Sequence, residues 1–105
     1  PKKCLYVYDK AVTDYAWWDL QIQQGNYMIS LLKENSVATW VESIPFDAQD
    51  EINTGVEGYR LYENDGVRFT RVDYRDPETN MLHRFVTTLP VSMSPGIIAL
   101  LYYKR

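Results

Sequence analysis

The sequence predicts an α/β domain that carries an antiparallel β-sheet. Two apolar, β-prone runs, 4–9 and 27–32, flank a helical segment at 15–24. A strand, a helix of about ten residues and a second strand form a βαβ unit, whose right-handed crossover makes the two strands parallel. The residues that follow, 37–90, contain strand patterns and turn signals without a helix, which is typical of an antiparallel meander.

Composition limits the class of protein. The 105 residues are 46% hydrophobic and 14% aromatic, enough for one domain with its own core. The sequence has no apolar run of about 18 residues and no signal-peptide pattern, so we expect a cytoplasmic protein without a membrane partner. One cysteine, Cys4, and one histidine, His83, exclude an internal disulfide and a Cys/His zinc site.

The charges are divided unevenly along the chain. The net charge of −3 argues against a general nucleic-acid binder. Residues 1–57 carry four Lys and Arg against nine Asp and Glu, whereas residues 58–105 carry seven against five. The division indicates either an acidic site beside a basic sheet or a solvated sheet face, and charge alone does not decide between them.

The helix at 15–24 has signals at both ends. Thr13 and Asp14 are good N-cap residues, and Gly25 suits the left-handed conformation that ends many helices. Its apolar residues form two stripes, so we expect it to contact more than one layer. One stripe contains Tyr15, Trp18 and Ile22, and the other contains Trp17 and Leu20.

Strand patterns in the second part of the chain cover 37–44, 55–62, 67–75 and 81–89. Asp65 and Gly66 predict a tight hairpin, and 76–80 predicts a second turn. In the third strand the apolar positions change phase between Phe69 and Val72, which predicts a bulge or sharp twist near Arg71.

The last element begins with Ser94 as N-cap and Pro95 at the first helical position. Its apolar stripe continues to Tyr102 without a stop signal, and the chain begins with Pro1. Both observations lead us to expect a piece of a longer protein.

Asp9 occupies a position at which functional groups gather in α/β sheets. It ends the first apolar run, and Lys33 and Asn35 end the parallel neighbour. Ligands bind beyond the carboxyl ends of such strands, so topology brings these side chains to one edge of the sheet. The alternative is that Asp9 only begins a turn and that Lys33 and Asn35 are a polar strand end.

Four short motifs follow one another along the chain. They are Tyr8-Asp9-Lys10 with Tyr15-Ala16-Trp17-Trp18, then Lys33-Glu34-Asn35, then Glu51-Ile52-Asn53-Thr54-Gly55-Val56, and finally Ile97-Ile98-Ala99-Leu100-Leu101-Tyr102-Tyr103-Lys104-Arg105. Their order and spacing resemble the catalytic domain of DDE transposases of the insertion-sequence type, whose RNase H-like core is interrupted by a β-sheet. The resemblance covers essentially the whole chain. It implies that 1–36 is the βαβ part of the core, 37–90 the β-sheet insertion and 91–105 the start of the signature helix.

The resemblance implies a metal-dependent reaction on DNA. In that family two Asp and one Glu hold two divalent metals, normally Mg²⁺, for in-line displacement at phosphorus. Asp9 matches the second Asp, and Tyr102 and Arg105 match the signature helix. The first Asp would precede residue 1 and the glutamate would follow residue 105, so we expect the isolated chain to be catalytically inactive. Lys10 replaces a common arginine, and Thr87-Thr88 replaces a common Thr-Asn pair.

The resulting hypothesis is a fragment of a cut-and-paste transposase that acts on transposon ends. Lysine and arginine side chains suit contacts with phosphates, and tyrosine can stack on DNA. The alternatives are a non-catalytic α+β interaction domain and, less favoured because of the sheet insertion, a nuclease or resolvase. A core strand would be absent, so we expect an unpaired edge on 4–8 or 27–32, which makes a homodimer conceivable. The expected nucleic-acid-binding residues are Lys10, Lys33, Asn35, Tyr102 and Arg105.

Overall fold

The computed structural model describes residues 4–11, 15–32, 39–64 and 66–104, without the side chains of residues 9–11 and 15. Six strands, two α-helices and one short 3₁₀ helix make up this part of the chain. In chain order they are β1 (Leu5–Ala11), α1 (Tyr15–Gln23), β2 (Tyr27–Leu31), β3 (Thr39–Ser43), the 3₁₀ helix (Glu51–Asn53), β4 (Val56–Asn64), β5 (Val67–Arg75), β6 (Leu82–Thr87) and α2 (Pro95–Tyr103).

The six strands form one mixed sheet in the order β1-β2-β6-β5-β4-β3. β1 and β2 are parallel and α1 connects them, so the predicted βαβ unit is confirmed. The predicted meander of β4, β5 and β6 is also confirmed, because each pairs antiparallel with the next. β6 pairs antiparallel with β2 as well, so the predicted insertion and the βαβ unit share one sheet.

The two helices cover opposite faces of this sheet. Successive residues of a strand point to opposite faces, and β2 shows this directly. Met28 packs in a cluster with Trp18 of α1, whereas Ile29 packs in a second cluster with Ile98 of α2. We call these the α1 face and the α2 face. The described domain is therefore a small α+β structure whose sheet carries one buried cluster on each face.

The predicted bulge near Arg71 is wrong. β5 pairs with β6 in regular register from Thr70 to Arg75, and its register with β4 is regular across Arg71 as well. The change of phase has another cause. Phe69 packs in the cluster of the α1 face, whereas Val72 packs in the cluster of the α2 face. A straight strand that is covered on opposite faces at its two ends produces the same sequence pattern.

The predicted stripe of α1 is correct only in part. Trp18 is fully buried, but Ile22 is exposed, and the next buried position of the helix is Gln21. The Gln21 carboxamide oxygen accepts a hydrogen bond from the Asn26 side chain at 2.9 Å, which ties the end of α1 to the chain that enters β2. A polar residue, Gln21, is therefore buried at the end of α1, where the apolar periodicity predicts Ile22.

The start of α2 depends on a distant residue. Ser94 occupies the N-cap position, but its side chain forms no capping hydrogen bond. The buried Asn53 accepts one at its Oδ1 from the Gly96 backbone N–H at 2.9 Å, and its Nδ2 donates to the Asp47 carbonyl at 2.9 Å. A Cβ atom at Gly96 would overlap the Ile52 carbonyl group. The 3₁₀ helix and α2 therefore pack backbone against backbone.

Candidate nucleic-acid interface

The prediction that Asp9 ends the first strand is wrong. Asp9 lies within β1, because the strand continues to Ala11, which pairs with Leu31. The register is irregular at this point. Val7 pairs with Ile29 and Ala11 with Leu31, so four steps along β1 correspond to two steps along β2. Residues 8–10 therefore form an irregular segment of the strand. Strand irregularities of this kind redirect side chains and are common beside active sites.

Tyr8, the residue before Asp9, is held against α1. Its ring contacts Trp17 edge-on with a centroid distance of 5.6 Å, and the ring of Tyr6 contacts Trp17 at the same distance. Burial raises the pKa of Tyr8 above its ordinary value, and the neighbouring Tyr6 raises it further. The Tyr8 hydroxyl is therefore neutral at physiological pH and adds no negative charge next to Asp9.

The other predicted site residues are described only in part. Lys33, Asn35 and Arg105 lie outside the described residues, as do the side chains of Asp9 and Lys10. Their roles stay predictions. Tyr102 is described and is 6% exposed, with its ring centroid 4.7 Å from that of Phe85. Its ring thus belongs to the core of the α2 face, and a contact with DNA stays a prediction.

The described residues do not form a magnesium site by themselves. Among them no three His, Cys, Asp or Glu side chains lie close enough to hold a metal ion. The Asp9 carboxylate is not among the described groups, and a two-metal site requires further carboxylates beside it. The magnesium expectation therefore rests on Asp9 and the resemblance alone.

Three arginines on three neighbouring strands surround one aspartate, an arrangement that the sequence analysis did not assign. Arg71 Nε lies 3.0 Å from one carboxylate oxygen of Asp73, and Arg60 Nη1 lies 3.4 Å from the other. Arg84 Nε lies 3.7 Å from the first oxygen. We call this group, Arg60, Arg71, Arg84 and Asp73, the arginine cluster.

Strand register produces the arginine cluster. Arg60 of β4 pairs with Arg71 of β5, and Asp73 of β5 pairs with Arg84 of β6. Arg71 and Asp73 are two residues apart, so all four side chains lie on one face of the sheet. Phe69, two residues before Arg71, packs on Trp18, which makes this the α1 face. Arg71-x-Asp73 is visible in the sequence, but the other two partners require the register.

Burial differs strongly within the arginine cluster. The Asp73 side chain is 13% exposed and that of Arg71 is 19% exposed, whereas Arg60 and Arg84 are 40% and 53% exposed. Arg71 also lies over the ring of Tyr62, with 5.2 Å between the guanidinium carbon and the ring centroid. Arg71 and Asp73 therefore form a largely buried inner pair, whereas Arg60 and Arg84 are accessible to solvent. Three cations and one anion leave an excess of two positive charges.

The α2 face holds a separate groove of about 540 Å³. Buried threonines line it together with apolar residues, and the threonine hydroxyls already have partners. Thr87 Oγ1 donates to the Met28 carbonyl at 2.6 Å, and Thr70 Oγ1 donates to the Thr87 carbonyl at 3.4 Å. Arg68 and Glu42, of opposite charge, also line the groove. The groove therefore lacks the charge excess of the arginine cluster.

Comparison with known proteins gives no family for this chain. No protein-family model, curated protein or solved structure matches it. Neither helix of the described residues is long enough to cross a membrane. The functional conclusion therefore depends on the residues and their geometry.

Proposed function

We propose that the chain is part of the catalytic domain of a DDE transposase, an enzyme that cleaves DNA at transposon ends and joins it to a target. One observation carries the proposal. β1 and β2 form a parallel pair that α1 connects, and the register of that pair breaks at the segment that contains Asp9. Strand irregularities are common next to active sites, and Asp9 lies two residues before the carboxyl end of β1, the end at which ligands bind in α/β sheets.

The position of β1 in the sheet supports the proposal. Among the described strands, β1 is at one end of the sheet and pairs with β2 alone, so its other edge is open. This is one of the two edges that the sequence led us to expect unpaired. In an RNase H-like core that edge would receive the strand that carries the first Asp. The proposal therefore includes an RNase H-like core, of which β1, α1, β2 and α2 would be a part.

The position of α2 supports the proposal as well. α2 packs on the sheet face to which Val7 contributes, two residues before Asp9. The helix that would lead to the catalytic glutamate therefore contacts the strand that carries Asp9. Tyr102, which matches the signature tyrosine, holds this helix in place through its buried contact with Phe85.

The proposal assigns a limited set of tasks to this chain. Asp9 would contribute one carboxylate to the Mg²⁺ ligands, since hard oxygen donors suit that ion. Bound Mg²⁺ would supply Lewis acidity at the phosphorus that reacts. Lys10, Lys33, Asn35 and Arg105 would bind DNA phosphates and orient the strand, because lysine and arginine are good partners for phosphate oxygens.

The test is a strand-transfer assay with the protein that the complete reading frame encodes, in Mg²⁺ with element-end DNA. We expect Asp9→Asn to reduce strand transfer by about a thousandfold or more, since loss of a metal ligand removes transition-state stabilisation. Asp19→Asn is the matched control, because Asp19 is a carboxylate on α1 whose only described hydrogen bond is with Gln23. Equal activity of both variants would contradict the proposal.

An exposed edge strand favours a second candidate, a non-catalytic interaction domain. All five residues of β3 are exposed, Trp40 to 57%, and β3 pairs with β4 alone among the described strands. Open edges with exposed apolar side chains pair with other chains, including a second copy. Sedimentation of the chain at several concentrations would test for a homodimer. An association that Trp40→Lys abolishes, without salt-dependent DNA binding, would favour this candidate.

A further inference from the structure

We infer that the arginine cluster is a binding site for phosphate groups of the DNA backbone. The choice of DNA as the polymer rests on the proposed function, whereas the phosphate chemistry follows from the geometry of the four side chains. The site lies on the α1 face, on β4, β5 and β6, and is distinct from the segment that contains Asp9.

The arginine cluster contains more cationic donors than a structural ion pair requires. Arg71 already pairs with both carboxylate oxygens of Asp73: its Nη2 donates to Oδ2 at 3.2 Å, and its Nε lies 3.0 Å from Oδ1 as an ion-pair contact. Arg60 and Arg84 then approach the same carboxylate at longer distances, 3.4 Å and 3.7 Å. A guanidinium has five N–H donors and a carboxylate accepts about four hydrogen bonds. Most donors of Arg60 and Arg84 are therefore left for another acceptor.

The inner pair prepares the site for an anion. The Arg71 guanidinium donates a hydrogen bond to Asp73 and lies over the ring of Tyr62, and these two contacts hold it in one orientation. A guanidinium that is already ordered loses less side-chain entropy when it binds, and its planar fork matches phosphate oxygens. Asp73 also reduces the repulsion among three neighbouring cations when no phosphate is bound.

The outer arginines have the reach and exposure that a DNA strand requires. Arg60 and Arg84 belong to β4 and β6, which are the two neighbours of β5, so about 10 Å separates their strands. A single DNA strand rises about 3.4 Å per nucleotide, so this distance corresponds to roughly three nucleotides. Both side chains are at least 40% exposed.

The test measures the affinity of the 105-residue chain for fluorescent DNA of about 20 nucleotides, duplex and single-stranded, by anisotropy from about 25 to about 200 mM NaCl. Arg84→Gln removes one outer cation of the cluster. Arg68→Gln is the matched control, because Arg68 is on the α2 side of the same strand β5, is 64% exposed and pairs with Glu63. Both variants change the net charge by the same amount.

We expect Arg84→Gln to weaken binding by about threefold to tenfold, the net contribution of one typical hydrogen bond at an exposed position. The slope of log affinity against log salt should fall by about 0.9 for duplex DNA, or about 0.7 for a single strand. Arg68→Gln should change neither quantity appreciably. Asp73→Asn should tighten binding at least about threefold, because it removes the anion that competes with phosphate. Thermal unfolding of each variant shows whether it is folded.

Equal weakening by Arg84→Gln and Arg68→Gln would overturn the inference, because it would indicate only long-range attraction. Displacement of DNA by polyglutamate of the same charge would also overturn it, because this result would indicate an acidic protein partner. Absence of binding at about 25 mM NaCl would overturn it as well. These failures leave the proposed function open to its own test. The proposed function is contradicted if Asp9→Asn leaves strand transfer unchanged, regardless of the effect of Arg84→Gln on DNA affinity.

Discussion

Asn53 accepts a hydrogen bond from the Gly96 backbone N–H at 2.9 Å, although the two residues are 43 positions apart. This bond joins the 3₁₀ helix (Glu51–Asn53) to the first turn of α2. It replaces the cap that the side chain of Ser94 does not form. The motif at 51–56, which contributes to the transposase resemblance, therefore has a structural task in this domain.

Asn53→Ala should lower the free energy of unfolding by about 1–3 kcal/mol. The substitution leaves the Gly96 N–H and the Asp47 carbonyl without the Asn53 side chain as partner, and an unpaired buried polar group costs about this much. Urea unfolding measures the difference. Gln49→Ala is the control, since Gln49 is exposed on the neighbouring loop and its replacement should stay within about 0.5 kcal/mol. Equal effects of the two substitutions would show that the bond contributes nothing.

Gly96→Ala should destabilise the domain by more than about 3 kcal/mol or prevent folding. The added methyl group would overlap the Ile52 carbonyl, so the backbone of α2 would have to move away from the 3₁₀ helix. Circular dichroism during heating measures the loss. As a comparison, Gly66→Asn should cost under about 1 kcal/mol, because nothing lies within 4 Å of the added Cβ and asparagine tolerates a φ of +79°. A normal melting curve for Gly96→Ala would contradict this packing.

Thr87→Val should cost about 2 kcal/mol of stability at nearly constant volume. The Thr87 hydroxyl donates to the Met28 carbonyl at 2.6 Å and accepts from the Leu89 N–H at 3.1 Å. Valine would leave both backbone groups without this partner in a fully buried position. Thr39→Val is a control on the exposed strand β3, where valine suits a strand. Guanidinium unfolding of both variants distinguishes the lost hydrogen bonds from a general effect of the replacement.

Stability should fall above about pH 10, and Tyr59 should account for part of the fall. Burial raises the pKa of Tyr59 above its ordinary value of 10.0, an effect that the nearby Thr70 side chain opposes in part. The unfolded chain therefore loses its tyrosine protons at a lower pH than the folded chain does. The stabilisation is complete below the unfolded pKa and is lost as the pH rises through the folded pKa.

Urea midpoints at about pH 8 and about pH 11 test this expectation. The midpoint of the wild type should drop over this interval, and that of Tyr59→Phe should drop less. Tyr8, Tyr74 and Tyr103 also have raised pKa values and should retain part of the dependence in the variant. An identical drop in both proteins would exclude Tyr59 as a source of it.

Local patterns predicted the elements but not the faces that they bury. Gly25 follows α1 and Gly66 precedes β5, both at positive φ as expected, because the conformational preference of glycine is a local property. The change of phase along β5 was interpreted as a bulge, because the sequence does not show that α1 covers Phe69 and α2 covers Val72. Helix placement on a sheet is a long-range property.

The arginine cluster could not be predicted from the sequence either, because it also depends on long-range pairing. Arg60, Arg71 and Arg84 were visible as arginines of predicted strands, but their convergence on Asp73 depends on the register of three strands. Asp9 could be proposed from the sequence because a carboxylate after an apolar run is a local signal, although the structure places it within β1 and its role stays a prediction. The irregular register at residues 8–10 could not be predicted from the sequence, because it depends on how β1 pairs with β2.

The most direct measurement is metal-dependent rescue of strand transfer by Asp9→Cys in the protein of the complete reading frame. Thiolate is a soft ligand that binds Mg²⁺ poorly and softer divalent ions better. We predict that Asp9→Cys is inactive with Mg²⁺ and regains activity with Mn²⁺, whereas Asp9→Ala is inactive with both. Full activity of Asp9→Cys and Asp9→Ala with Mg²⁺ would contradict the assignment of Asp9 as a metal ligand.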